Sequence, residues 1–170
     1  MKVAFFDRDG TIIDDYPDHK WTSVKRPVFL DGAIRTLKEV LNKGYKIIII
    51  TNQYIINEGY ITEEQYQDIT KQMLIELKNN DISIHDIYYC PHAKTDGCYC
   101  IKPRTGMIRQ ALKVYPDIDL SKSFMVGDSA VDVELAINMK IKGFGIGIGS
   151  EYDDKKIIQI EKIKDLINYL

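Results

Sequence analysis

Val3-Ala4-Phe5-Phe6-Asp7-Arg8-Asp9-Gly10-Thr11 sets a continuously apolar run directly against three charged residues and a glycine. An apolar run of this length, closed by a turn signal, reads as a strand buried on both faces. Tyr45–Ile50 repeats the pattern, with four consecutive isoleucines too apolar for a sheet wetted on one side. Asp86–Tyr89, Phe124–Val126, Phe144–Ile148 and Ile157–Ile160 continue the series. Segments of helical period lie between and after them. Ile34, Leu37, Val40 and Leu41 share one face of 31–43, with Asp31 expected as its cap and Gly44 as its stop. Thr62 and Gln65 form a capping box for a helix carrying Tyr66, Ile69, Met73 and Leu77. Ile108, Ala111, Leu112 and Tyr115 precede Pro116; Val131, Leu135 and Met139 follow the fourth strand; Ile163, Leu166, Ile167 and Leu170 mark the tail. Strand and helix alternate throughout. The expected fold class is therefore α/β: one Rossmann-like domain over 1–170, a parallel sheet with helices on both faces, right-handed crossovers and no separate cap domain. Residues 8–30, containing Pro17, Trp21 and Pro27, form the one irregular insertion.

The composition fits that reading. The 170 residues carry 23 Lys+Arg against 25 Asp+Glu, a net charge of 23 − 25 = −2, with 45% hydrophobic residues. One core suffices for this length. A pI near 5.9 gives no net pull toward phosphate backbones, so nucleic acid is not the expected partner. Ile47–Ile50 is the longest apolar run, far below the roughly 18–20 residues of a spanning helix, so no membrane partner is expected. Asp7, Arg8 and Asp9 interrupt the apolar N-terminus, so no signal peptide is expected there. The three cysteines fall within residues 90–100 and suit a reducing cytoplasm, and a monomer is expected.

In open parallel sheets, ligands sit beyond the carboxyl ends of the strands. Asp7-Arg8-Asp9-Gly10-Thr11, Thr51-Asn52-Gln53, Lys102-Pro103-Arg104 and Gly127-Asp128-Ser129 with Asp132 all fall at such ends. A carboxylate at the end of a buried strand is costly unless a cation offsets it. Asp7, Asp9 and Asp128 converging there call for a divalent cation, and oxygen ligands favour magnesium. The Thr51 hydroxyl and Lys102 ammonium supply donors for an anion beside it.

These four segments resemble the motifs of the haloacid dehalogenase superfamily, in its small capless subgroup of heptose 1,7-bisphosphate and histidinol-phosphate phosphatases. The resemblance covers roughly residues 1–150. It implies that Asp7 attacks phosphorus to form an aspartyl-phosphate, and that Asp9 protonates the leaving oxygen and then deprotonates water. Magnesium would be held by the Asp7 side chain, the Asp9 backbone carbonyl and Asp128. Thr51 and Lys102 would hold the phosphoryl oxygens, with Asn52, Gln53 and Lys102 on the substrate, while Asp132 orients Lys102 or a metal-bound water. The implied activity is a magnesium-dependent phosphomonoesterase whose partner is a small phosphorylated metabolite, with a sugar phosphate such as heptose (bis)phosphate favoured. The alternatives are histidinol phosphate, a polynucleotide 3′-phosphate, and a non-catalytic binding module. Two residues depart from the heptose pattern: Glu58 and Ile101 stand where cationic contacts are expected, which points to substrates with one phosphate.

Cys90, His92, Cys98 and Cys100 place three thiols and an imidazole within residues 90–100. Three thiolates and one imidazole make a closed tetrahedral set for structural zinc, with no position left for a catalytic water. The same loop resembles the zinc loop of the heptose-bisphosphate subgroup. Its expected work is to stiffen the segment that delivers Lys102.

Overall fold

The computed structural model describes residues 1–170. Six strands form one sheet: β1 (Val3–Phe6), β2 (Lys46–Asn52), β3 (Asp86–Cys90), β4 (Phe124–Gly127), β5 (Lys142–Ile146) and β6 (Ile157–Ile160). Their spatial order is β3-β2-β1-β4-β5-β6, and every neighbouring pair is parallel. The order reverses at β1, so the crevice between the ends of β1 and β4 is the topological switch point. Asp7 and Asp128 directly follow those two ends.

Helices α1 (Ala33–Asn42), α2 (Glu63–Asn79), α3 (Gly106–Val114) and α4 (Ala130–Met139) cover the sheet. Side chains alternate across a strand, so each apolar run feeds two cores. Phe6, Ile47 and Ile49 pack with Leu37 and Val40 of α1 and with Ile69 and Met73 of α2. Phe5, Ile48 and Ile50 face the other way, toward Ile108 and Ala111 of α3 and Leu135 of α4. All four isoleucines 47–50 are fully buried, which is why β2 is continuously apolar rather than alternating. At roughly 1.5–3 kcal/mol per buried aliphatic side chain, these strands anchor the frame that holds the loops above them.

Several local expectations met a different outcome. Gly32, at φ 80°, takes the cap position of α1, so Asp31 lies outside the helix and pairs with Lys164 at 3.3 Å. The capping box of α2 formed as expected: Thr62 Oγ1 accepts from the Gln65 N–H at 3.1 Å, and Gln65 Oε1 accepts from the Thr62 N–H at 2.9 Å. The buried face of α4 is Asp132, Val133, Leu135 and Ala136, because Val131 turns toward the crevice. The tail coils as a 3₁₀ helix, Ile163–Tyr169, burying Ile163 and Leu166; a three-residue spacing matches that tighter helix. The insertion 8–30 folds back over the sheet end, bridging Ile13 to Phe29 and burying Trp21.

Candidate active site

Two glycines let the loops after β1 and β4 close on each other. A Cβ at Gly10, whose φ is 80°, would lie 2.2 Å from Asp128 Oδ2, and one at Gly127 would lie 2.2 Å from Asp132 Oδ2. No side chain fits at either position. The result is a cluster in which ligand oxygens of Asp7, Asp128 and Asp132 all lie within 4.8 Å of one another.

Lys102 stands inside this cluster. Its Nζ donates to Asp7 Oδ1 at 2.7 Å and to Asp132 Oδ1 at 2.6 Å. Asp132 is fixed in turn by the Ser129 N–H at 3.1 Å and hydroxyl at 2.8 Å. Asn52 clasps the Lys102 backbone, accepting from its N–H at 2.8 Å and donating to its carbonyl at 3.2 Å. Residues that are far apart in sequence are thus locked into one unit, and the expected orienting contact of Asp132 on Lys102 is present.

Three carboxylates against one ammonium leave 3 − 1 = 2 negative charges in excess around Lys102. Burial pushes the Asp7 carboxyl well above its ordinary range, and Asp132 and Asp128 push it further against the pull of Lys102. Burial, then Asp132, raises Asp128 to about 6. Burial alone would lower Lys102, but Asp132 and Asp7 outweigh it and hold the ammonium above its usual value. An all-oxygen donor set with excess negative charge fits a hard divalent cation.

Thr51 is buried, its hydroxyl accepting from Gln53 Nε2 at 3.0 Å, and it borders the crevice. Gln53 does not border it. Its side chain lies beneath the floor, where Nε2 also donates to Asp9 Oδ2 at 2.8 Å. Arg8, which as a charged residue beside Trp21 suggested only a fragment of a basic track for a polynucleotide, is 1% exposed and grips both oxygens of Asp9, at 2.7 and 3.0 Å. Its position between two aspartates was the one available signal.

The crevice above these groups has a volume of about 360 Å³. Asp15, Asp18, Trp21, Tyr54, Lys94 and Ile101 form its mouth. Lys94 Nζ lies 4.1 Å from the Tyr54 ring centre, and the Tyr54 hydroxyl donates to Asp18 at 2.9 Å. Glu58 is not at the mouth: it accepts the Lys94 backbone N–H at 3.1 Å. The repulsive carboxylate expected from sequence is therefore spent on the loop, and a lysine faces the crevice instead.

Beside the crevice, Cys90, His92, Cys98 and Cys100 converge as a second four-donor group. Sγ–Sγ distances are 3.5 Å for Cys90–Cys98 and 2.7 Å for Cys90–Cys100, and His92 Nδ1 lies 3.0 Å from Cys100 Sγ. Tetrahedral zinc with bonds near 2.3 Å sets sulfurs about 3.7 Å apart, so Cys90 and Cys98 already stand near that spacing and Cys100 would move about 1 Å away from Cys90. Burial raises the Cys90 thiol, as expected where a thiolate lacks a cation.

Residues 2–155 match the model of the polynucleotide kinase 3 phosphatase family. The chain belongs to that family. Its relatives are phosphatases, and it is a phosphoric monoester hydrolase. It is 38% identical over 148 residues to the D-glycero-beta-D-manno-heptose-1,7-bisphosphate 7-phosphatase of Haemophilus influenzae, covering 83% of this chain and 78% of that protein. It is 33% identical over 148 residues to the histidine biosynthesis bifunctional protein HisB of Campylobacter jejuni, covering 86% of this chain and 42% of that longer one. The D,D-heptose 1,7-bisphosphate phosphatase of B. bronchiseptica, solved with magnesium and phosphate, superposes with a TM-score of 0.86 at 23% identity, covering 99% and 97% of the two chains. That likeness establishes the fold. No helix of this phosphatase is long and apolar enough to cross a membrane.

The raised Asp128 carboxyl has a measurable consequence. Its folded value near 6 exceeds the ordinary 3.8, so metal-free protein loses stability as pH rises from about 4 through about 6. Asp128→Asn removes that loss. In chelator the variant should melt above the wild type at pH 7.5 but not at pH 4.5, and a divalent cation should stabilise the wild type far more than the variant. Parallel melting curves for the two proteins across this range would overturn the assignment of Asp128.

Proposed function

We propose that this protein is a magnesium-dependent phosphomonoesterase that removes one phosphate from a sugar bisphosphate of the heptose 1,7-bisphosphate class. The observation that carries the reading is the placing of Lys102 between Asp7 and Asp132, at 2.7 and 2.6 Å, with Asp128 alongside, at the switch point of the sheet. A phosphomonoester adds about two further negative charges, which this site tolerates only with a bound cation. Asp7, the Asp9 carbonyl and Asp128 would hold magnesium, which when bound lowers the cost of charge on the phosphoryl oxygens.

Asp7 forms the new O–P bond while the ester P–O bond breaks, and Asp9 gives its proton to the departing oxygen. Water then attacks the aspartyl-phosphate and returns a proton to Asp9, freeing phosphate and Asp7. Thr51 and Lys102 hold the phosphoryl oxygens, Asn52 holds Lys102, and Gln53 steadies Thr51 and Asp9.

At the mouth, Lys94 suits a second phosphate, and Asp15 and Asp18 suit sugar hydroxyls. The same two carboxylates would also receive an amine, which favours histidinol phosphate as the second reading. They would repel a polynucleotide. The chain acts as a single cytoplasmic domain over 1–170 and as a monomer. Assay of the purified protein with magnesium against heptose 1,7-bisphosphate, monophosphorylated sugars, histidinol phosphate and a 3′-phosphorylated oligonucleotide tests the assignment. The bisphosphate should show the highest kcat/KM, and Lys94→Ala should lower it about tenfold or more by loss of one ionic contact. A preference for histidinol phosphate would select the second reading.

Zinc at Cys90, His92, Cys98 and Cys100 stiffens the loop that delivers Lys102 and Lys94. One zinc per chain should co-purify and survive EDTA treatment that abolishes magnesium-dependent turnover. Cys98→Ser should lower the melting temperature, by roughly 2–4 °C for each 1 kcal/mol lost, while kcat per folded molecule changes less. Full stability of metal-free protein would overturn the structural role.

A further inference from the structure

Arg8 is the largest fully buried side chain in the molecule, and nothing in the reaction above uses it. Buried arginines are rare unless paired. Here Nε and Nη2 donate to Asp9 Oδ1 and Oδ2 at 2.7 and 3.0 Å, while Nη1 donates to Thr70 Oγ1 at 2.9 Å. The guanidinium carbon lies 5.0 Å from the Tyr66 ring centre and 5.7 Å from that of Trp21. Thr70 and Tyr66 belong to α2, so the fork is anchored in a helix packed on the sheet rather than in the loop that carries Asp9.

An ionised carboxylate offers about four lone-pair positions, two on each oxygen. Asp9 Oδ2 accepts from Arg8 Nη2 and from Gln53 Nε2 at 2.8 Å, which fills it. Oδ1 accepts only from Arg8 Nε. One position remains, on Oδ1, and the Asp9 side chain is 13% exposed toward the crevice. We infer that Arg8, with Gln53, is a positioning residue that reserves Asp9 Oδ1 as the single atom exchanging a proton with the leaving oxygen. The bidentate fork also fixes the plane of the carboxyl, as a lysine could not. This inference rests on the phosphatase reading but not on the identity of the sugar.

The test separates proton delivery from folding. In first-turnover kinetics with magnesium, release of p-nitrophenolate from p-nitrophenyl phosphate needs no proton, whereas release of glycerol from glycerol 1-phosphate does. Arg8→Met should slow the glycerol phosphate step by about thirtyfold or more, a part of the 10²–10⁴ that acid catalysis supplies in full, and change the p-nitrophenyl step by less than about threefold. Arg8→Lys, which keeps the buried charge and should fold where Met does not, should shift the same ratio by a smaller factor. Because both substrates are read on one preparation, the amount of folded protein cancels. A ratio equal to wild type in the folded variants overturns the inference and leaves Arg8 a structural residue. Wild-type protein that cleaves neither probe overturns the phosphatase reading, and the inference with it.

Discussion

Asp7→Asn should lower turnover by roughly ten-thousand-fold or more, the scale on which loss of a covalent nucleophile is felt. The amide keeps the shape of the side chain, and its Oδ1 can still accept from Lys102, which now donates to Asp7 at 2.7 Å. Only the attacking charge is removed. The fold should not suffer. Burial and two neighbouring carboxylates already push Asp7 toward its neutral form, so the variant should melt at or above the wild-type temperature in chelator. Activity and stability then move in opposite directions, which excludes unfolding as the cause. Wild-type protein mixed with beryllofluoride and magnesium should carry the anion on Asp7, and the variant should carry none. Near wild-type turnover by the Asn variant would remove Asp7 from the mechanism.

The elements that hold Asp7 were legible in the sequence because burial on both faces leaves a continuous apolar run, as in Val3–Phe6 and Ile47–Ile50. The α2 capping box was legible because it is written within four residues. Asp31 misled because a carboxylate before a helical period looks like a cap, while the adjacent Gly32 adopts the left-handed backbone that sets the true boundary. The site divides along the same line. Asp7 and Asp128 directly follow strand ends, so one-dimensional order already places them together, whereas Lys102 lies well beyond the end of β3 at Cys90 and reaches them through the Asn52 contacts that hold its backbone. Gln53 and Glu58 depend on which way a side chain turns from its loop, and no local pattern encodes that. Lys94 faces the crevice only because Glu58 holds its backbone and Tyr54 lies under its ammonium, contacts between segments about 36 residues apart. Arg8 was hidden for the opposite reason: a charged residue beside two aspartates looks solvated until Thr70, Tyr66 and Trp21 are found around it.

Lys102→Met is the second change with a large expected effect, and it joins stability to chemistry. The ammonium is the one cation paired with the Asp7 and Asp132 carboxylates, at 2.7 and 2.6 Å. Removing one member of a buried ion pair leaves uncompensated charge, at a cost of about 3–5 kcal/mol. It also removes a donor aimed at the phosphoryl oxygens, worth roughly 10²–10³ in kcat. The two losses can be separated with Asp132→Asn, which neutralises one abandoned carboxylate. Lys102→Met/Asp132→Asn should regain much of the melting temperature, because only Asp7 and Asp128 then lack a counter-charge, and magnesium held by those two residues can supply it. Turnover should stay as low as in Lys102→Met alone. Asp132→Asn by itself should keep the Lys102–Asp7 contact, lose some precision in where the ammonium points, and reduce kcat by about tenfold, a fraction of the donor's full worth. Recovery of activity along with stability in the double variant would mean that Lys102 serves the fold alone. Stability regained without activity would mean that its buried charge is kept, against the cost of desolvation, for the phosphate it holds.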